Sequence, residues 1–181
     1  MNPSMNHDHY SDRYITDILA GARSFAMVGA SANTNRPSYF AMKYLLGKGF
    51  AVHPINPRMA GDKLLGQTVY ASLADVPGPV DIIDIFRNAD AAGVIVKEII
   101  ALQKQLQAKV VWMQLSVRND AAAAEAEAAG LKVVMNRCPK IEYGRLSGEL
   151  NWAGVYSGTI SSRVPQLSPD GFQNHILSAS A

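Results

Sequence analysis

The chain has 181 residues, 48% of them hydrophobic and 18% charged, the size and balance of one globular domain with a real core. Seventeen Lys and Arg against fifteen Asp and Glu leave a formal charge of +2. So small an excess makes no case for nucleic acid, whereas a single small anion needs only a local cluster of cations and amides.

Residues 1–12 are polar and read as a loose tail without the apolar stretch of a signal peptide. The close pair His7 and His9 falls in this tail and reads as solvated rather than metal-binding. From Ser11 the pattern turns helical: Tyr14, Ile15, Ile18 and Leu19 share a face, Ser11 can cap and Gly21 can stop the helix. Residues 24–29 form a short apolar run ending in glycine, a buried strand. A polar loop leads to a second helix over 38–48, stopped by Gly49, and residues 50–55 form a second strand. A turn-rich connection over 56–62 precedes an irregular stretch, 64–73, that could hold a small hairpin. Residues 80–86 are the clearest strand after the first. Asp90 is the expected cap of a long helix with an inward stripe of Ile95, Ile99, Leu102 and Leu106. A strand over 110–114, an alanine-rich helix capped by Asn119 or Asp120, a strand over 132–135 and a short helix over 140–146 complete the pattern. Residues 149–160 alternate loosely and could form a hairpin or an extended arm.

Strands and helices thus alternate five times, which predicts an α/β, Rossmann-like, doubly wound parallel sheet of about five strands in three layers, ordered 3-2-1-4-5. The domain is expected over 13–146, after the tail and before an extension at 147–181. No apolar run reaches the length of a membrane span, so no membrane partner is expected. The single cysteine excludes an internal disulfide and suits a reducing compartment, with the cytoplasm as the expected location.

Ligands of doubly wound sheets bind at the carboxyl ends of the strands, near the point where strand order reverses. There the first loop reads Gly29-Ala30-Ser31-Ala32-Asn33-Thr34-Asn35-Arg36-Pro37-Ser38. Gly29 and Ala30 allow close backbone approach, Ser31, Asn33, Thr34 and Ser38 offer short polar groups, Arg36 offers a planar cation, and a helix N-terminus follows. The loop lacks the second and third glycines of the dinucleotide fingerprint and the Gly-Lys-Ser/Thr of a Walker loop. By composition alone, a phosphate cradle and a polar connection fit it equally. After the second strand stand Asn56, Pro57 and Arg58, with no acidic residue for a ribose. An arginine there suits NADP or a 3′-phosphorylated adenosine. The third strand ends in Phe86, Arg87 and Asn88, able to pack on an adenine or a pantetheine arm and to hold a phosphate. Cys138 stands before Pro139 at the end of the fifth strand, near Arg137 and Lys140, either as a structural residue or as a functional thiol. Asp81 and Asp84 stand at odd spacing on one strand, so they form no acid/base pair, and Ser31 has no His and Asp set to match it. No motif specifies bond-making chemistry.

The ordered set Val28-Gly29-Ala30-Ser31, Arg36-Pro37-Ser38, Pro54-Ile55-Asn56-Pro57, Asp81 to Arg87 and Asn136-Arg137-Cys138-Pro139 resembles the stand-alone CoA-binding proteins. Their fold is similar to the N-terminal domain of the succinyl-CoA synthetase α subunit. The match spans about residues 15–146. The resemblance implies coenzyme A or an acyl-CoA as the nucleotide ligand. Gly29, Ser31 and the amides near Ser38 would contact its phosphates, the Asn56 to Arg58 turn its adenosine phosphate end, and Phe86 and Arg87 would line the cleft. Ligases of this superfamily carry a phosphohistidine in a second domain, which these residues do not include, so that step is not carried over. Three readings stand: a non-catalytic CoA-binding module, an NADP-dependent oxidoreductase motivated by Arg36 and Arg58, and a CoA-linked thiol or disulfide function at Cys138. The stretch from Ser147 onward either covers the cleft or makes a homodimer contact.

Overall fold

The structure, a computed structural model, describes residues 5–149. Helix α1 (Asp12–Gly21) leads into β1 (Ser24–Val28), α2 (Pro37–Gly47) and β2 (Ala51–Ile55). A 3-10 turn (Pro57–Met59) and the hairpin β3 (Lys63–Leu64) and β4 (Gln67–Thr68) follow. After a second 3-10 turn (Leu73–Asp75) come β5 (Ile82–Ile85), α3 (Ala89–Ala101), α4 (Gln103–Leu106), β6 (Val110–Met113), α5 (Asp120–Ala128), β7 (Lys132–Val134) and α6 (Pro139–Leu146).

Five of the strands form one parallel sheet in the order β2-β1-β5-β6-β7. Counting the sheet strands along the chain, this is 2-1-3-4-5, not the expected 3-2-1-4-5. The place beside β2 is already taken. Beyond the β3–β4 hairpin, Tyr70 bridges to Ile55, its N–H donates to the Pro54 carbonyl at 2.9 Å, and its own carbonyl accepts from Asn56 N–H at 2.9 Å. The connection from β2 contains no helix of its own, so the chain covers that edge and enters β5 on the far side of β1. The reversal of strand order therefore lies between β1 and β5, which sets the Gly29 and Phe86 loops side by side.

The side-chain period of two splits the core across the sheet. Phe25, Met27, Ile82, Val110 and Trp112 pack with α1, α2 and α6, through Ile15, Leu19, Ala41, Leu45 and Tyr143. Ala26, Ile83, Ile85, Val111 and Met113 pack with α3 and α5, through Ile95, Val96, Ile99, Ala122 and Ala126. Each large apolar side chain so buried contributes about 1.5–3 kcal/mol. Among the described residues no helix is long and apolar enough to cross a membrane.

Three local expectations change. The cap of α3 is Asn88, whose side chain accepts from Ala91 N–H, while Asp90 lies in the first helical turn. The long stripe breaks at Leu102 into α3 and α4. The loose tail is packed where it is described. Tyr10 is buried, its hydroxyl accepts from Met135 N–H at 2.8 Å, and it sits 2.8 Å from His7 Nδ1. His7 Nε2 also lies 3.2 Å from Glu127. An aromatic ring with a polar tip needs both an apolar seat and a partner, and Tyr14, stacked on it at 5.8 Å, with Val134 and the Met135 N–H supplies them. The expected hairpin or arm at 149–160 lies outside the described residues beyond Glu149.

Candidate functional site

At the carboxyl end of the sheet, a cleft of about 1380 Å³ runs across the β1–β5 junction. It exceeds the usual range for drug-sized ligands, about 300–1,000 Å³. Its floor begins at Gly29. The φ of Gly29 is +92°, and a Cβ there would lie 2.6 Å from the Phe86 carbonyl oxygen. Only glycine allows β1 and β5 to deliver their loops this close together. Gly29 and Ala30 N–H both donate to the Ile55 carbonyl, at 3.0 and 3.2 Å. These two amides are thus spent on backbone, and the loop's anion-binding capacity lies further along, at Ser31 and Arg36 to Ser38.

The loop holds its own shape. Ser31 Oγ accepts from Asn33 N–H and Asn33 Oδ1 from Asn35 N–H. Asn56 acts as a staple, with Nδ2 donating to the Ala30 carbonyl at 2.8 Å and Oδ1 accepting from Arg58 N–H at 3.0 Å. Asn56 therefore ties the β2 turn to the first loop.

Helices α1, α3 and α5 begin with side-chain caps from Ser11, Asn88 and Asn119. Helices α2 and α6 do not: Arg36 and Cys138 stand at their N-caps without a capping hydrogen bond, each followed by a proline. Both begin at the cleft. The positive ends of two helices thus open on one space. Arg36, Arg87 and Lys140 add three cations to it. Apolar side chains share the cleft with them. Phe40, Val94, Leu115 and Ile141 are all exposed, and all line the cleft.

Of the residues singled out by sequence, the cleft gathers Gly29, Ala30, Ser31, Arg36, Pro37 and Ser38 from the first loop. It adds Asn56 and Pro57 from the second, Phe86, Arg87 and Asn88 from the third, and Cys138 from the last. It does not include Asn33, whose side chain shapes the loop, or Arg58, which is exposed on the 3-10 turn outside the lining. Sequence reasoning missed Phe40 and Ile141 and named Lys140 only as a cation near Cys138, and the one legible signal was a proline-led helix without a Ser, Thr, Asp or Asn cap.

It also missed Asp84 and Gln114. Asp84 is fully buried, facing the α2 and α6 side between Met27 and Trp112. Both its oxygens accept from Gln114 Nε2, at 2.9 and 3.1 Å. Burial pushes its carboxyl up to about 8, against a smaller lowering by the Gln114 hydrogen bond. Asp81, at the other end of β5, is a different case. Burial would raise it, but Lys109 and the amides of Arg23 and Ser24 outweigh that, and it is held below the usual range. Burial raises the Cys138 thiol, and the neighbouring Asp84 adds to the rise. The amides of Ile141 and Lys140 pull the other way. Cys138 is thus a protonated thiol at neutral pH, held in place by the Trp112 indole N–H donating to the Arg137 carbonyl at 2.8 Å. Among the described residues no group of three His, Cys, Asp or Glu could hold a metal.

The sequence pattern of the CoA binding domain family matches residues 23–144 of this chain. The chain belongs to that family. It is 29% identical over 129 residues to the uncharacterized protein YneT of Bacillus subtilis strain 168, covering 71% of this chain and 91% of YneT. A hypothetical protein from Pyrococcus horikoshii OT3 superposes with a TM-score of 0.71 at 35% identity, over 81% of this chain and 99% of that one. The protein designated cell-free ID.343 from Thermus thermophilus does so with a TM-score of 0.70 at 34% identity, over 76% and 99%. The cleft spans the ends of β1, β2, β5 and β6 and the entry to α6, and all its lining positions, from Val28 to Ile141, fall within 23–144.

Proposed function

We propose that the chain binds coenzyme A or an acyl-CoA in this cleft, without catalysis of its own. The observation that carries the reading is the pair of uncapped N-termini, α2 and α6, opening on one cleft beside Arg36, Arg87 and Lys140. A ligand with several phosphates suits two positive helix ends and three cations together. The pantetheine arm, and any acyl group it carries, suits the apolar stretch from Phe86 to Leu115. The donor set fits the ligand the family description names.

Calorimetric titration of the purified protein with CoA and acetyl-CoA tests this. Saturable binding supports it, and no heat at millimolar ligand removes it. NADPH serves as the competing ligand. Arg36 and Arg58 motivated an NADP site, and Arg58, outside the cleft, was equally the expected contact for the adenosine phosphate of CoA, so the competition itself discriminates: NADPH binding more tightly than CoA would favour the oxidoreductase reading. A thiol function is a second reading, favoured by one observation: Cys138 lines the same cleft. Incubation with CoA disulfide would then give a mixed disulfide at Cys138 and release one CoA thiol. Mass spectrometry reads the added CoA. The raised thiol pKa works against that exchange, which needs the thiolate.

A further inference from the structure

The Asp84–Gln114 pair is unused by the phosphate reading, and its geometry makes a specific demand on a ligand. Gln114 is 6% exposed and lines the cleft, while Asp84 beneath it is 0% exposed. A buried carboxyl is costly unless its oxygens are hydrogen-bonded, and here one donor atom, Gln114 Nε2, serves both. A side-chain amide has one donor end and one acceptor end. With Nε2 held downward by Asp84, Oε1 is left on the cleft side, with no hydrogen bond among the described residues.

We propose that Gln114 Oε1 is a ligand contact that accepts an amide N–H or a hydroxyl from the bound molecule, and that Asp84, in its ionised form, is the positioning residue that keeps this oxygen turned to the cleft. The inference rests on the CoA reading to the extent that the donor is an amide of the pantetheine arm. The part of the ligand recognised is therefore the arm and not the nucleotide.

The protonation of Asp84 matters to this arrangement. The ionised carboxylate is acceptor-only and holds Nε2. The neutral acid carries an O–H that needs an acceptor, which the other end of its partner amide, Gln114 Oε1, can supply. Satisfying it turns the amide over, so that Nε2 meets the cleft instead. A ligand N–H at this point thus binds better as Asp84 ionises. The other titratable group that couples to Asp84 is the Cys138 thiol, on the segment entering α6. The remaining charged groups of the cleft are Arg36 before α2, Arg87 after β5, Glu98 on α3 and Lys140 on α6.

The test compares acetyl-CoA, which has the arm and no free thiol, with adenosine 3′,5′-bisphosphate, which lacks the arm. Affinities are measured by calorimetry from pH 6.5 to 9.5 in a Cys138→Ser background, which removes the neighbouring thiol. Acetyl-CoA is expected to bind about 3–10-fold more tightly at the alkaline end, the worth of one hydrogen bond. The bisphosphate is expected to show no such rise. Asp84→Asn should flatten the acetyl-CoA profile, and Gln114→Met should weaken acetyl-CoA by a similar factor while leaving the bisphosphate unchanged. In the ligand-free protein, the Gln114 side-chain amide resonances should move with pH, and Asp84→Asn should abolish the movement. Equal pH profiles for the two ligands, or an unchanged acetyl-CoA affinity in Gln114→Met, overturn the proposal. Resonances that do not move overturn the positioning role of Asp84. If neither ligand binds at any pH while the resonances do move, the CoA reading has failed and the amide contact needs a different ligand with an N–H or O–H donor.

Discussion

Gly29 meets the carbonyl of Phe86 so closely that a Cβ on it would sit 2.6 Å from that oxygen. This contact joins the two loops on either side of the strand-order reversal. The backbone at Gly29 also has φ +92°, which side chains rarely adopt. Gly29→Ala is expected to cost stability twice, about 1–2 kcal/mol for the left-handed backbone and a further few for the clash. Urea unfolding reads the loss. Any protein that folds should bind CoA at least tenfold more weakly, because Arg87 Cδ, 3.1 Å from the same point, must shift as well.

Arg36 and Arg58 looked alike in the sequence, and the structure separates them. Arg36 lines the cleft at the start of α2, and Arg58 does not. Arg36→Ala is expected to weaken CoA by about tenfold, as loss of a charge-assisted phosphate contact does, without moving the unfolding midpoint. Arg58→Ala should leave affinity within about twofold. Calorimetry on the two variants decides the matter, and the reverse order of effects would place the nucleotide phosphate at the 3-10 turn.

Asp84 makes stability fall with pH. Its folded pKa, pushed up to about 8 by burial, lies above the usual carboxylate value, so the folded state keeps a proton that the unfolded chain releases. This contribution is complete below about pH 4 and is lost progressively as pH rises through the folded pKa, by up to about 1.4 kcal/mol per unit. The isosteric Asp84→Asn should remove the slope. Its stability relative to the natural chain should thus rise between pH 5 and 8, as measured by urea unfolding. Parallel curves for the two proteins would mean that Asp84 does not titrate in this range.

Tyr10 fastens the residues ahead of α1 to β7. Tyr10→Phe deletes the hydroxyl that accepts from Met135 N–H and approaches His7 Nδ1. The buried Met135 amide is then left without its partner, at about 1–3 kcal/mol. A lowered unfolding midpoint and faster proteolysis near His7 are the expected results. An unchanged midpoint would show that water replaces the hydroxyl.

Much of this molecule follows from local chemistry. Alternating apolar runs and amphipathic stretches mark strands and helices because side-chain period and burial are local properties. Ser11 and Asn119 mark helix starts for the same reason. The glycine and the arginine of the first loop, and the Phe86-Arg87 pair, were readable because each strand of a parallel sheet must end on the same side.

The structure alone decided what depends on elements far apart in the chain. The strand order turned on Tyr70 covering the edge of β2, a pairing across the connection that no local pattern announces. The exclusion of Arg58 and the role of Asn56 as a staple turned on how two loops lie against each other. Asp84 looked like an unpaired acid, since its partner stands thirty residues on, at Gln114. Sequence determines periodicity and caps through neighbours along the chain. Burial, charge state and cleft membership belong to neighbours in space, and only the packed sheet brings those together.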